Sequence, residues 1–436
     1  MNRKLFLASA LLPILALGAL HCGTKSEDSS DEDDGALLDG LLSPYETPDP
    51  NNPWTRNADL ASYDLGQENV LADEDARFAQ LSSRVRALQD KITKAKNDGK
   101  PERTFHAKSH ACLNGELRLR SGTGLPAAGL FSPENVAKPH PTLVRLSNGV
   151  GFRQADKKVD VRGVGFKIKD VVGEPLPGAP PGVQDILFTN GVITPAPHSE
   201  HFVEFMEVSV DAALAGDGSI FDTAKGFLGQ SKYLLDPKNE RVRRNIEAHM
   251  APSALKYGSF YGEHFWSGGA IALGVHDGDP LKAAAVDAIK LNVLVGAPHT
   301  ESNGTVTCTP VSKAPNPFDA DYFRKDVVER LKTSGMCFDL RVQIQKDAKR
   351  QPIEDTSVEW QEKDTKSVSV GFISVPPTDL TSPEAAAREG ECNAQAFTPW
   401  NGLAAHRPLG NIMRVRRVVY DASAAARAGT RADTRR

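Results

Sequence analysis

Along residues 75–100, DARFAQLSSRVRALQDKITKAKNDGK, the apolar side chains Phe78, Leu81, Val85, Leu88 and Ile92 recur at spacings of three and four. That spacing lays one apolar stripe along an amphipathic helix, which Asn97 to Gly99 close. Downstream the period changes to two. TLVRLS and VRGVGFKIK alternate in the first half of the chain. AIKLNVLVG puts Ile289, Leu291, Val293 and Val295 on one face, CFDLRVQIQ does so with Phe338, Leu340, Val342 and Ile344, and SVSVGFIS with Val368, Val370 and Phe372. Half-buried antiparallel strands read this way. Residues 198–250 return to a helical spacing, and after Pro399 the chain finishes with a helix over LGNIMRVRRVVYDASAAARAG. Together these elements predict an α+β fold, an antiparallel sheet or barrel with helices segregated around it.

Composition changes this picture only at the ends. The chain has 436 residues and a formal net charge of −4, which offers neither a nucleic-acid footprint nor a polybasic membrane surface. Its start differs from the rest. MNRK is basic, LFLASALLPILALGAL is largely apolar, and Cys22 follows at once. This reads as a signal peptide over residues 1–22 and resembles a bacterial lipoprotein signal, with Cys22 the lipidated residue. The expected location is the cell envelope, periplasmic or outer-membrane attached, with plain secretion as the alternative. The only membrane contact expected is the lipid anchor. Residues 23–58, acidic and then proline-rich, bury too little apolar surface to offset their ordering and read as a tether. The folded domain is expected over 59–430, with a tail over 431–436. Besides Cys22, four cysteines remain: Cys112, Cys308, Cys337 and Cys392. Export permits two disulfides among them, and three pairings stay open.

Candidate chemistry begins on the terminal helix. Arg416 and Tyr420 are four residues apart and share a face, and Arg427 lies seven beyond. A guanidinium beside a phenol favours the phenolate, a hard ligand for ferric iron. Alone, such a pair on a helix is more often a surface arrangement.

Five further segments raise its meaning: RTFHAKSHACLNGEL, LVRLSNGVGF, DVRGVGFKIKD, QDILFTN and RVRRVVYDASAAAR, in this order. Together they resemble the catalase-like superfamily of haem proteins over roughly residues 65 to 428. PIEDTSVEW and FTPWNGLAAHRPLGNIMRVRRVVY look like its short, exported branch. The resemblance implies an antiparallel β-barrel core with surrounding helices and a haem, haem b in the simplest case. It implies a catalytic histidine at His106, an amide beside it at Asn190, and a serine at Ser147 that bonds the histidine. Tyr420 would be the axial ligand of the iron, with Arg416 stabilising its phenolate. Arg103, Arg145 and Arg427 would hold the haem carboxylates, and Phe202 would stack near the macrocycle. The implied substrate is hydrogen peroxide or an organic hydroperoxide, with a small organic reductant possible, and the implied assembly is a homo-oligomer. Two features depart from the family pattern. GVITPAP follows Asn190, and Phe105 precedes the histidine. The expected function is therefore a peroxide-consuming enzyme, catalase or peroxidase. The alternatives are a rearranging enzyme for fatty acid hydroperoxides on the same fold, and a haem-binding lipoprotein without turnover.

Overall fold

A computed structural model describes residues 68–428 apart from short internal stretches, the longest being 251–257 and 275–286. All described residues belong to one of the two units into which the chain divides, 64–436. The leader, Cys22, the tether and the tail at 431–436 lie outside the described residues.

Ten strands are present among the described residues: β1 (Ser109–Leu119), β2 (His140–Asn148), β3 (Arg162–Lys169), β4 (Val183–Thr189), β5 (His264–Ser267), β6 (Ile271–Leu273), β7 (Asp287–Thr300), β8 (Val306–Thr309), β9 (Met336–Ile344) and β10 (Val368–Val375). Their order is β5-β4-β3-β2-β1-β10-β9-β7, and β5 pairs with β7 to close the ring, Phe265 lying opposite Val293. The result is an eight-stranded barrel in which every pairing is antiparallel, with β6 and β8 attached to β7. Closure removes exposed sheet edges.

Period-two patterning explains which side chains fill it. Val144 and Leu146 of β2, Val164 and Phe166 of β3, Ile186 and Phe188 of β4, and Leu291 and Val293 of β7 join one continuous buried cluster. These are the inward positions. The alternate positions of β2, β3 and β4 face outward: Arg145 lies opposite Gly165 and Ser147 opposite Gly163, while Gly165 and Gly163 lie opposite Leu187 and Thr189. The outer face is covered too, since nearly all of β2 is buried.

Helices supply that cover. The apolar stripe of the sequence becomes α1 (Glu74–Lys96), with Glu74 and Asp75 in its first turn and Lys94 and Lys96 in its last, matched to the helix dipole. Phe78, Leu81 and Val85 of α1 pack with Val203 of α2 (Ser199–Ala215) and with Val415 and Val419 further along the chain. Leu88 and Ile92 pack with Phe152 and Val210. The region read as helical at 198–250 contains α2 and α3 (Ile220–Leu235). Two helices without a marked sequence signal follow, α4 (Tyr322–Ser334) and α5 (Pro383–Ala394).

The chain closes with α6 (Asn411–Ala428), the helix that carries Val415 and Val419. Carboxylates hold its start: Glu68 accepts from the Gly410 amide at 2.7 Å and Glu354 from the Asn411 amide at 2.9 Å. Arg414 of α6 pairs with Glu68, Glu74 and Glu354, which fixes the helix against the segment leading into α1. The disulfides left open by sequence are Cys112–Cys392, joining β1 to α5, and Cys308–Cys337, joining β8 to β9.

Candidate active site on the outer face of the barrel

A cavity open to solvent lies between the outward faces of β2, β3 and β4, the segment 103–106, the segment 396–398, and α6. Seven of the residues singled out in the sequence line it: Arg103, His106, Arg145, Ser147, Arg416, Tyr420 and Arg427. They arrive from three separate parts of the chain, the segment 103–106, β2 and α6. Asn190 and Phe202 are not among the lining residues. The Asn190 side-chain oxygen accepts the Arg162 backbone amide at 2.8 Å at the end of β4, and Phe202 packs edge-on against Phe105 with ring centroids 6.1 Å apart.

His106 holds an unusual backbone position. Its φ is +62°, in the left-handed region, which histidine enters more readily than most residues. The turn is fixed by the His106 amide donating to Gly149 at 2.7 Å and the Ala107 amide donating to Val150 at 3.0 Å. Left-handed residues outside glycine concentrate at functional sites. The ring then lies over β3, with Nδ1 3.2 Å from Ser147 Oγ. Gly163 makes room for it: a Cβ there would stand 2.5 Å from His106 Nδ1 and 3.0 Å from Ser147 Oγ. Burial first, then Arg145, Arg103 and Arg416, push the His106 pKa down to about 4, although the Asn148 backbone pulls the other way. The imidazole is therefore neutral across the physiological range and can accept a proton.

Across the cavity, Arg416 and Tyr420 lie one helical turn apart on α6, with the guanidinium carbon 6.0 Å from the phenol ring centre. Gly268, just after β5, admits this arginine, since a Cβ there would meet its Nη2 at 2.4 Å. Val419 and Val415 bury the adjoining side of α6 against α1. Packing thus decides that the Arg416–Tyr420 face turns toward the barrel.

Arg103, Arg145 and Arg427 form a third group. Among the described residues no carboxylate within ion-pair distance is recorded for any of them. Their recorded partners are neutral oxygens. Arg103 donates to the carbonyls of Gln395 at 2.7 Å and Asn393 at 3.2 Å. Arg145 donates to Asn393 Oδ1 at 3.0 Å and Ala107 O at 3.2 Å. Arg427 donates to Asn393 O at 3.0 Å, and its buried Nε has no partner. Burial and mutual repulsion push Arg103 down to about 8, and burial followed by Arg427 pushes Arg145 down to about 10. Three clustered guanidiniums without a counter-charge call for an anionic ligand.

The remaining walls carry the apolar side chains of Phe105, Leu187, Phe397 and Val419 beside the polar Thr104, Thr189, Thr398, Asp421 and Ser423. The site therefore suits a ligand with an apolar body and acidic groups at one end. Sequence reasoning did not single out Gly163, Phe397 or Asn393. The glycine-interrupted strand VRGVGFKIK carried a signal for the first, because glycine within a strand marks a close approach. Nothing in the sequence pointed to Asn393.

No protein-family model matches the chain, and no curated protein matches it. Solved structures do match. The crystal structure of a fungal catalase superimposes with a TM-score of 0.55 and 16% identity, covering 87% of this chain and 68% of that one. Catalase A from Saccharomyces cerevisiae gives 0.53 and 16%, covering 86% and 70%. The fold is catalase-like. At this identity the likeness is one of fold, and the chemistry of this catalase-like chain rests on its own side chains. In the catalase-like frame, the cavity lies on the outside of the barrel and takes its polar groups from both the barrel and the last helix.

Proposed function

We propose that this protein is a haem-dependent enzyme that consumes peroxide. The observation that carries the reading is the convergence of three chemistries on one cavity: the His106–Ser147 pair, the Arg416–Tyr420 pair, and three arginines lacking a carboxylate. The donor set fits a haem. Its two carboxylates would meet Arg103, Arg145 and Arg427, and the partnerless Nε of Arg427 is one donor they would satisfy. Its apolar body would lie among Leu187, Phe397 and Val419, beside the surface that Gly163 and Gly165 leave bare. Among the described residues Tyr420 is the one phenol on the cavity wall, and it would hold the iron. Bound there, a haem would supply the ferric centre at which a peroxide O–O bond is cleaved.

The chain's own part in that chemistry is proton handling and charge placement. With Nδ1 engaged by Ser147, Nε2 of His106 is the atom left to take a proton from one peroxide oxygen and return it to the other. Ser147 fixes the ring orientation, as partners behind a reacting imidazole do. Carboxylates seated on the arginines would offset part of their field and raise the basicity of His106. Asn190 and Phe202 shape the cavity from behind, the first by holding the start of β3 and the second by backing Phe105.

Export of the chain and a lipid anchor at Cys22 belong to the same reading, as does assembly into a homo-oligomer. Two disulfides support export, since such bonds persist in oxidising compartments. The test is peroxide turnover. Haem-loaded protein should consume hydrogen peroxide or an organic hydroperoxide, and His106→Ala should keep the haem and lose about 10²–10⁴ in rate. Equal rates in the two proteins would refute the assignment of His106.

A further inference from the structure

We propose that Asn393, at the end of α5, is the positioning residue of the arginine cradle, and that the Cys112–Cys392 disulfide holds it there. The proposal rests on the haem reading above and deepens it. Asn393 does not line the cavity, yet it touches all three arginines that do. Its backbone oxygen accepts from Arg103 at 3.2 Å and from Arg427 at 3.0 Å, and its side-chain oxygen accepts from Arg145 at 3.0 Å. The reason is local. The last carbonyls of a helix have no partner within it and carry the negative end of its dipole. Here the C-terminus of α5 points those oxygens, those of Cys392, Asn393 and the following Gln395, at a cluster of positive charge. They act as a weak counter-ion that orients the guanidiniums and leaves their net charge for a ligand.

The disulfide fixes where the end of α5 sits. Cys112 of β1 lies directly opposite Arg145 of β2, so the two side chains share one face of the barrel. Joining Cys392 to Cys112 sets the residue after it beside Arg145. Arg388 reinforces the join by donating to the Cys112 carbonyl at 3.3 Å. Reduction would take two electrons and two protons from a dithiol, break the S–S bond and leave two thiols, freeing the α5 terminus from β1.

Porphyrin binding tests this without catalysis. The probes are protoporphyrin IX, which carries two carboxylates, and its dimethyl ester, which carries none. The protein is the full chain with Cys308→Ser and Cys337→Ser, so that Cys112–Cys392 is the disulfide that dithiothreitol opens. On reduction, affinity for the acid should fall about tenfold or more, the value of a charge-assisted hydrogen bond or two, while affinity for the ester holds. Asn393→Ala, with both disulfides intact, should lower acid affinity selectively by about tenfold. An equal fall for acid and ester would show a merely structural role and overturn the proposal, as would no change in either. If the unreduced wild-type protein binds neither porphyrin, the haem reading fails and this proposal fails with it. If it binds haem but the acid-to-ester ratio does not move, this proposal alone fails.

Discussion

Gly163→Ala isolates the link between barrel geometry and His106. One methyl group added at residue 163 would stand 2.5 Å from His106 Nδ1, 2.6 Å from its Cε1 and 3.0 Å from Ser147 Oγ. Ordinary contact begins near 3.4 Å, so the imidazole must retreat by roughly 1 Å. It has little freedom to do so. Its backbone is pinned by two hydrogen bonds to residues 149 and 150, and Ser147 is fixed within β2. Overpacking of this kind costs about 1–3 kcal/mol in stability, which a domain this size tolerates. The ring, once swung, loses both Ser147 and its line to the cavity. Loss of positioned proton transfer reduces rates by about 10²–10⁴. The assay is peroxide consumption at matched haem occupancy, with occupancy read from the absorption spectrum. Gly165→Ala is the comparator, because its new methyl would meet Phe397 at 3.2 Å and not the histidine. It should disturb haem seating more than turnover per haem. A folded, haem-loaded Gly163→Ala protein with wild-type turnover would refute the placement of His106 over β3.

Three other outcomes are expected. In the haem-free protein the His106 ring should stay neutral down to about pH 5 and take up its proton only near pH 4, as followed by NMR, because burial and the neighbouring arginines push its pKa down to about 4; a midpoint near the ordinary value of about 6.5 would contradict the effect of burial and of the arginine field. Arg145→Leu should speed haem dissociation about tenfold or more by removing one carboxylate partner, and unchanged release into a haem acceptor would contradict the cradle. Ile92→Ala, at a position only 1% exposed between α1 and α2, should lower unfolding free energy by about 2–5 kcal/mol in a denaturant titration; a loss below about 1 kcal/mol would contradict the packing of α1.

The barrel was legible where strands are long and one face is buried. The alternation of β7 and β9 follows from inward Leu, Val and Phe packing against each other across a closed ring; in β10 a bulge between Ser369 and Gly371 shifts the register, so Val370, Ile373 and Val375 face the core, while Val368 is exposed and Phe372 lies outside the core cluster. Short strands escaped notice: β5 has four residues and β6 three, too few for a period to show. α1 and α6 were visible from their stripes, whereas α4 and α5 were not. At the site, residues from five motifs were brought together by a family resemblance, and the fold places seven of them on one cavity. Their mutual geometry depends on features that leave no local trace. The left-handed turn at His106 is set by carbonyls more than forty residues away. Cys112 and Cys392 are 280 residues apart, and four cysteines alone could not select that pairing. Two of the three contacts that Asn393 makes to the arginines use its backbone oxygen, which no residue type announces.

The central claim is that a haem sits in this cavity on Tyr420. Its most direct measurement is the absorption spectrum of the full-length protein titrated with ferric haem, beside Tyr420→Phe. The account predicts a saturable one-to-one complex with a high-spin ferric, tyrosinate-type spectrum in the wild type, which the variant loses. No complex in the wild type, or the same spectrum in both proteins, would contradict it.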